Sequence, residues 1–239
     1  MSMTLIREKL NFDKVLIVVA HPDDEVLGCG GLIKRLIDDG KSVFILILGE
    51  GSSCRYSGNR INTDEVALAI NDRAKCAQDA FKLLGVKDFY MNNFTCGRFD
   101  TYPIIDLGKE VERVIELFDP DTVLTHYRND NNSDHRLTFN AVMAAARPTK
   151  KNNIKTILSF EVLSSTEWRF SDSFKPNFFV DIGHEIDFKV DAFSCYASSE
   201  AGEFPFPRSE EGIKTLAKMR GMQIGVCFAE AFEVIRISY

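Results

Sequence analysis

The sequence has no excess of positive charge, which limits the partners that the protein can have. Its 239 residues contain 29 Lys and Arg against 35 Asp and Glu, a formal net charge of -6, and the pI is about 5.3. Nucleic-acid-binding surfaces are normally basic, so we expect no nucleic-acid partner. A small anionic substrate is still compatible with this balance, because a few local Arg or Lys residues suffice to bind it.

Long hydrophobic runs are also missing. No stretch approaches the ~18 apolar residues of a membrane span. The N-terminal segment, Met1 to Lys14, is mixed and charged and has no apolar run of signal-peptide length. We therefore expect a cytoplasmic protein without a membrane span. The sequence leaves the oligomeric state open, and a homo-oligomer is one option.

Closely spaced cysteines are absent as well. The six cysteines are scattered and form no Cys-x-x-Cys pair: Cys29, Cys54, Cys76, Cys96, Cys195 and Cys227. This spacing argues against a metal knuckle, and a chain of this size rarely needs a disulfide framework. The pattern is typical of reduced thiols in a cytosolic protein.

What the sequence does have is alternation of short apolar runs with longer amphipathic ones over its first two-thirds. Such alternation predicts right-handed crossovers and a parallel sheet covered on both faces. From Ile154 onward the pattern is more mixed, but no linker, repeat or low-complexity tract separates the two parts. We therefore predict an α/β fold, with a Rossmann-like mostly parallel sheet, helices on both faces and a C-terminal α+β elaboration, in a single domain over residues 1–239.

The individual elements follow from hydrophobic periodicity and from stop signals such as Gly and Pro. The predicted strands span residues 14–20, 42–48, 89–91, 122–125, 157–163, 178–182 and 232–237. The predicted helices span residues 24–39, 63–85, 104–118, 134–146, 186–199 and 209–222.

Two His-bearing segments follow predicted strands, and sites in such sheets lie beyond the carboxyl ends of the strands. His21 and Asp24 come directly after the first strand, where a tight turn can aim both side chains at one metal ion. His135 follows the strand that ends at Thr125 and qualifies as the third ligand. Asp23 lies between the first two and would be free to act on a water molecule at the open coordination position.

A structural alternative applies to a His-Pro-Asp sequence that stands alone after a strand, which is more often a turn with a helix cap. Here, however, the run is His21-Pro22-Asp23-Asp24-Glu25. Five specified residues in a row arise by chance at only about 1 in 10⁶ positions, on a flat one-in-twenty estimate. Together with the second His-bearing segment, the run favours the metal site over the cap.

At this point the sequence resembles a known family. The run from Val18 to Glu25, followed by Gly28-Cys29-Gly30-Gly31, resembles the opening motif of the PIG-L/LmbE-like N-deacetylases. Further similar segments are Asp72-Arg73-Ala74-Lys75, Leu84-Gly85-Val86, Asp121 to His126, Asp134-His135-Arg136 and Ala229-Glu230-Ala231-Phe232. The first motif is highly specific and the later ones are individually weak, but together they cover most of the chain.

The resemblance implies a zinc enzyme on a Rossmann-like fold that hydrolyses acetamido groups on sugar-containing substrates. Carried over by position, it makes His21, Asp24 and His135 the ligands of one divalent ion per chain, and Asp23 the general base. These assignments agree with those reached from the residues alone. Divalent metals other than zinc stay open.

One position departs from the family's pattern. Many members have a second His three places before the last ligand, and this chain has Asn132 there. In those members the His steadies the oxyanion or protonates the leaving group, whereas Asn132 can donate a hydrogen bond but not a proton. His126 matches a His often seen after the family's Thr, so it is a candidate for the missing imidazole. A purely structural His at the strand end is the equal alternative.

The substrate-binding residues are predicted from position and composition. Arg73 falls within a helix and either pairs with a carboxylate or diphosphate or lies on a solvated face. Arg55 and Tyr56 lie in the polar segment of residues 49–62, which we expect to form a lid or substrate loop. Trp168 either borders the sugar site or packs against the fold.

Two further features are given structural interpretations. The glycines of Gly28-Cys29-Gly30-Gly31 fall inside the helical pattern rather than before it. This position predicts close packing of helix on strand and argues against a dinucleotide-binding loop. His184 precedes an amphipathic helix and is expected on the surface.

The sequence thus predicts a metal-dependent hydrolase that removes an N-acetyl group from an amino sugar, free or carried on a nucleotide, lipid or metabolite. An amidase for another N-acyl conjugate is one alternative. A non-catalytic relative that binds metal and sugar is another, although the retained Asp23 argues against it. An oxidoreductase would need a glycine turn where His21-Pro22 stands.

Overall fold

A computed structural model describes residues 10–148 and 152–238. Residues 1–9, which include most of the N-terminal segment considered for a signal peptide, lie outside the described residues. One sheet of seven strands runs through the described part, in the order β3-β2-β1-β4-β5-β7-β6. The interpretation of one domain over residues 1–239 stays a prediction.

The sheet is parallel over five strands and antiparallel at one edge. β1, β2, β3, β4 and β5 pair in parallel, while β7 runs antiparallel to both β5 and β6. The strands are β1 (Lys14–Val19), β2 (Ser42–Gly49), β3 (Asp88–Phe94), β4 (Thr122–His126), β5 (Thr156–Phe160), β6 (Phe178–Asp181) and β7 (Ala229–Ile237). The antiparallel edge is the predicted C-terminal elaboration.

Helices cover both faces of this sheet. Side chains of α1, α2, α5 and α7 share one apolar cluster with the sheet, and side chains of α3 and α4 form a second cluster on the opposite face. The helices are α1 (Asp24–Asp38), α2 (Asp64–Leu84), α3 (Ile104–Phe118), α4 (Ser133–Ala145), α5 (Ile186–Ser194), α6 (Ala197–Glu200) and α7 (Glu210–Met222). The predicted fold class is confirmed.

Several predicted boundaries are wrong, mainly in the C-terminal third. The helix predicted over residues 186–199 is two helices, α5 and α6, and Tyr196 is buried between them. β7 begins at Ala229 rather than at residue 232, so the segment Ala229–Phe232 lies in a strand. β5 ends at Phe160, three residues before the predicted end. Short apolar runs leave strand ends ambiguous, and pairing partners decide them.

The predicted close packing of the glycine run is confirmed. A Cβ on Gly28 would lie 2.3 Å from Phe160 of β5, and one on Gly31 would lie 2.8 Å from Ile182. The helix also breaks inside this run, because Cys29 has non-helical angles, φ -150° and ψ 26°. Just beyond the break, the backbone N–H groups of Gly31 and Leu32 donate to the carboxylate of Glu230 at 2.9 and 2.7 Å.

Other expectations concern the cysteines, the surface and the membrane. All six cysteines are free thiols, and His184 is exposed as predicted. Among the described residues, no helix is long and apolar enough to cross a membrane.

Candidate metal centre

The three predicted ligands meet at the carboxyl edge of the sheet. β1 and β4 are neighbouring parallel strands, so the residues that follow them emerge side by side. His21 follows β1, Asp24 opens α1, and His135 lies in the first turn of α4. Asp24 Oδ1 is 3.3 Å from His135 Nε2, and Asp24 Oδ2 is 3.5 Å from His21 Nδ1. All three side chains are buried.

The donor atoms of this triad fit a divalent metal ion. Ligand atoms from the three residues all lie within 4.8 Å of one another. Asp24 Oδ1 and His135 Nε2 are buried and lie 3.3 Å apart, but neither makes a hydrogen bond of good geometry with a described group. An ion bound between them would satisfy both atoms. Two imidazoles and one carboxylate are a set that zinc and related ions accept, with a further position left open.

The electrostatics of the triad couple its members. Burial alone would lower the pKa of His21, but hydrogen bonds with Asp134 and Asp24 raise it to about 9. Burial likewise opposes protonation of His135, yet the charges of Asp24 and Asp130 raise its pKa to about 10. Burial would raise the pKa of Asp24, but the charge of His135 and hydrogen bonds with His135 and His21 hold it well below its usual range. The site thus favours a positive charge beside Asp24.

Two carboxylates orient the imidazole rings, and sequence reasoning gave neither of them a role. Asp134 Oδ2 is 3.0 Å from His21 Nε2, and Asp130 Oδ1 is 3.2 Å from His135 Nδ1. Asp130 is itself held by the hydroxyl groups of Ser165 and Thr166. Carboxylates behind metal-binding histidines fix the ring tautomer and orientation. Asp134 could have been identified from the sequence, because it directly precedes the predicted ligand His135. No sequence pattern marks Asp130.

Asp23 and Asp24 are adjacent but contact different groups, since Asp24 contacts histidines and Asp23 contacts arginines. Its backbone has φ 115°, in the left-handed region that few non-glycine residues adopt. The carboxyl Oδ2 lies 2.8 Å from a guanidinium nitrogen of Arg208 and 3.1 Å from one of Arg73. Strained backbone of this kind costs about 1–3 kcal/mol and often serves a site. The strain separates a metal-facing carboxylate from a second carboxylate beside it.

Glu25 supports the same turn. Its Oε2 accepts a hydrogen bond from the backbone N–H of Asp23 at 3.1 Å, and its Oε1 accepts one from the Tyr196 hydroxyl at 2.7 Å. Burial raises the pKa of Glu25 to about 8. Within the run His21–Glu25, His21 and Asp24 therefore belong to the candidate metal centre. Asp23 contacts the arginines, and Glu25 supports the backbone of Asp23.

Arg73 is buried, so the alternative of a solvated helix face is wrong. It donates to the Pro22 carbonyl at 2.6 and 2.9 Å and also pairs with Glu200. Arg208 and Arg55 pair with the same Glu200. Arg73 thus pairs with carboxylates of the protein itself. Neither Glu200 nor Arg208 was predicted, because no motif or periodicity connects them with partners 127 to 185 positions earlier.

His126 and Asn132 both lie near the triad and have clear structural contacts. His126 Nε2 accepts a hydrogen bond from the Ala20 N–H at 2.9 Å, and its ring stacks on that of His135 with centroids 3.9 Å apart. Burial, reinforced by the charge of His135, lowers the pKa of His126 to about 3. Asn132 caps α4, its Oδ1 accepting from the Asp134 N–H at 2.9 Å. In catalysis, His126 would therefore act through its ring Nδ1, and Asn132 through its amide nitrogen.

A cleft lies next to this cluster of arginines. Its volume is about 260 Å³, and Arg55, Tyr56 and Arg73 are among its lining residues. The predicted loop of residues 49–62 forms one wall, including a short 3₁₀ helix, Ser53–Arg55. Because Arg73 also contacts Asp23, the cleft adjoins the candidate metal centre. Trp168 is half exposed, at 42%.

The sequence is similar to that of known deacetylases. A family model described as PIG-L, GlcNAc-PI de-N-acetylase, matches residues 16–146, which is more than half of the chain. The diacetylchitobiose deacetylase of Thermococcus kodakarensis is 30% identical over 229 residues, covering 93% of this chain and 83% of that protein. The chain belongs to the PIG-L family. The ligand motifs that carried the resemblance in the sequence lie within the matched residues.

Solved structures of proteins that catalyse different reactions share this fold. N,N'-diacetylchitobiose deacetylase from Pyrococcus horikoshii has a TM-score of 0.74 at 25% identity, covering 95% of this chain and 85% of its own. A 4-carboxy-2-hydroxymuconate hydratase from Pseudomonas putida KT2440 has a TM-score of 0.75 at 21% identity, covering 95% and 98%. The second likeness shows the fold alone, so the reaction must be argued from the site.

Proposed function

We propose that this PIG-L family member is a hydrolase that removes the N-acetyl group from an amino sugar or sugar-containing conjugate. One observation carries the proposal. Two adjacent carboxylates serve different partners: Asp24 completes the His21 and His135 triad, while Asp23 is held beside it by Arg73 and Arg208. Amide hydrolysis at a metal centre needs this pair, one carboxylate to bind the ion and one to move protons.

The ion, which we propose to be zinc, would be held by His21, Asp24 and His135. When bound, it would supply Lewis-acid polarisation of the amide carbonyl and a lower pKa for water. The donor set of two nitrogens and one oxygen also fits other divalent ions. Asp134 contacts the His21 ring and Asp130 contacts the His135 ring, and these contacts would hold both rings in place for the ion.

Asp23 would accept the proton of the attacking water at its carboxyl group and return it to the departing amine. Arg73 and Arg208 fix the position of this carboxyl through Oδ2. Glu25 fixes the backbone through the Asp23 N–H. The chain therefore holds its proton-transfer group rigidly, as general base catalysis requires.

The substrate sugar would lie in the cleft beside Asp23, against Arg55, Tyr56 and Arg73. Because Arg73 is already paired with Asp23 and Glu200, we assign it a positioning role as well as contact with substrate. His126 or Asn132 would donate a hydrogen bond to the oxyanion through the ring Nδ1 or the amide nitrogen.

The location proposed for this enzyme is the cytoplasm. All six cysteines are free thiols, which suits a reducing compartment. An amidase for another acyl group is the remaining alternative, since the same centre would hydrolyse it. The matching structure of a hydratase makes water addition a third reaction to exclude.

The deciding experiment is a screen of N-acetylated sugars and sugar conjugates for release of acetate, with zinc, with other divalent ions and with a chelator. Asp23→Asn should keep the metal and lower kcat by about 10²–10⁴-fold, the usual contribution of general acid–base catalysis. Asp79→Asn, an exposed change on α2, is the matched control. Turnover by Asp23→Asn at the wild-type rate would remove Asp23 from the mechanism. Absence of acetate release from every acetamido compound in every metal form would contradict the proposed function.

A further inference from the structure

Three arginines beside the cleft converge on one carboxylate of the protein. Glu200 Oε1 pairs with Arg73 and Arg55, and its Oε2 lies 2.8 Å from a guanidinium nitrogen of Arg208. A cluster of arginines at a cleft ordinarily indicates an anionic ligand, because guanidinium groups bind carboxylates and phosphates. Here the Glu200 side chain is buried, with only 6% of it exposed. The chain therefore supplies its own anion where an anionic ligand would be expected.

The donors of Arg73 are already taken up by groups of the protein. Its Nε and Nη2 donate to the Pro22 carbonyl at 2.9 and 2.6 Å, and Nη2 also pairs with Asp23 at 3.1 Å. Its Nη1 donates to the Ser199 hydroxyl at 3.0 Å and pairs with Glu200. Together these partners use all five N–H donors of the guanidinium group. A phosphate or carboxylate on the substrate would have to displace one of them.

The rest of the cleft wall suits a neutral sugar. Of the residues that line it, Asp72 is acidic, and four carry hydroxyl groups: Ser52, Tyr56, Ser198 and Ser199. Hydroxyl groups both donate and accept hydrogen bonds, so they can pair with the hydroxyl groups of a sugar. An added negative charge, in contrast, would lie between the carboxylates of Asp72 and Glu200, and like charges in contact disfavour binding.

We propose that Glu200 is a specificity-determining residue, which neutralises the arginines so that the cleft accepts a neutral sugar or carrier group and rejects a phosphate or carboxylate. The inference rests on the proposed deacetylase function and narrows its substrate class. Specificity is a difference between affinities, and a repulsive group placed against the competitor creates it. Sugar phosphates and sugar nucleotides are accordingly poor substrates, and neutral N-acetylated glycosides are good ones.

The test compares two substrates that share the reacting acetamido group. One is the methyl glycoside of N-acetylglucosamine, which is neutral, and the other is N-acetylglucosamine 1-phosphate. Wild type should favour the methyl glycoside in kcat/KM by at least about tenfold, because like-charge repulsion costs more than this factor. Glu200→Gln should reduce this preference by at least about tenfold, chiefly through a lower KM for the phosphate. A general loss of activity cancels in the ratio.

Two further variants separate the charge of Glu200 from its packing and from the net charge of the protein. Glu200→Asp keeps the negative charge and should keep the preference for the methyl glycoside. Glu203→Gln removes one negative charge from an exposed position three residues away, and it should show the wild-type ratio. Thermal unfolding of each variant establishes that it is folded.

Two results would overturn the proposal. One is a wild-type protein that hydrolyses the phosphate as well as the methyl glycoside, which needs no variant to observe. The other is a folded Glu200→Gln protein with the wild-type ratio. If no acetamido compound releases acetate, the proposed function fails. Calorimetric binding of the same two compounds to wild type, Glu200→Gln and Glu203→Gln then tests the preference in place of the rates.

Discussion

The Nε2 atom of His21 lies 3.0 Å from Oδ2 of Asp134, and this contact decides which ring nitrogen faces the candidate metal centre. Asp134 is itself fixed, because its carboxylate accepts from the backbone N–H groups of Gly97 at 2.6 Å and Phe99 at 3.2 Å. A carboxylate held in this way keeps the proton on Nε2 and leaves Nδ1 for the ion beside Asp24.

Asp134→Asn should weaken metal binding at the triad of His21, Asp24 and His135 by about 10–100-fold, the usual effect of losing an outer carboxylate partner. The amide cannot accept as strongly from the His21 ring, so the ring is less well oriented. Competition with a chelator of known affinity measures the loss. Activity at saturating metal should recover towards wild type, since the ligands themselves are unchanged.

Asp100→Asn, an exposed change in the neighbouring turn, should leave metal affinity as in wild type. If Asp134→Asn also keeps wild-type affinity, the contact with His21 does not orient the ring. If extra metal does not restore activity, Asp134 has a further part in the reaction.

Metal binding to this triad should release protons. Hydrogen bonds with carboxylates raise the pKa of His21 to about 9, and the charges of Asp24 and Asp130 raise that of His135 to about 10. At neutral pH each ring must therefore lose one proton before its lone pair can bind the ion. Metal affinity should accordingly rise with pH and level off near these pKa values.

Calorimetry in several buffers of different ionisation enthalpy measures the number of protons released. Release of about one proton per histidine at neutral pH is expected. A metal affinity that does not change between neutral pH and the pKa of His21 would show that the rings are already neutral in the metal-free protein.

The parts of the site that could be predicted are those coded by local pattern. The β-branched run before His21 marks a buried strand, and the parallel-sheet rule then brings His135 beside it. Local pattern also explains why the glycines of α1 were correctly assigned to packing. Each of these inferences needs only a short stretch of sequence and one topological rule.

The remaining parts depend on contacts across the fold. Arg208 reaches Asp23 from 185 positions away, and Glu230 reaches Gly31 from 199 positions away. Neither residue sits in a spacing that signals its partner. The break of α1 at Cys29 was also missed, because a helical pattern continues through it, and the Glu230 carboxylate and the Lys189 ammonium compensate the interrupted hydrogen bonds from elsewhere in the fold. Tertiary contacts of this kind override periodicity.

Arg73→Ala should destabilise the fold by about 3–5 kcal/mol, the typical cost of removing one member of a buried ion pair. The change leaves Glu200 and Asp23 buried with less positive charge and removes two hydrogen bonds to the Pro22 carbonyl. Denaturant unfolding measures the loss. Arg113→Ala, which breaks an exposed pair with Glu110 on α3, should cost only about 0–1 kcal/mol. Equal effects of the two changes would contradict the buried network.

Glu230 and Lys189 should show a coupling energy in a double-mutant cycle. Lys189 Nζ lies 2.6 Å from Glu230 Oε1, and both side chains are buried. Each single change, Lys189→Met or Glu230→Gln, leaves the remaining partner buried without an opposite charge beside it. Each should therefore lower the free energy of unfolding by about 3–5 kcal/mol. The double variant should lose less than the sum of the two, by about 0.5–3 kcal/mol. Strict additivity would mean that the two groups stabilise the break in α1 independently.

Gly28→Ala should destabilise the protein by about 1–3 kcal/mol, the usual cost of overpacking. The new methyl group would lie 2.3 Å from the Phe160 ring, so α1 or β5 must shift, and either shift disturbs the neighbouring Asp24. Gly108→Ala is the matched control, because Gly108 lies within α3 and its Cβ would find its nearest contact at 3.9 Å. That change should stabilise the helix by about 0.5–1 kcal/mol. Thermal or denaturant unfolding of both variants decides the matter. A Gly28→Ala protein as stable as wild type would show that close helix–strand contact is not what requires a glycine beside the metal ligands.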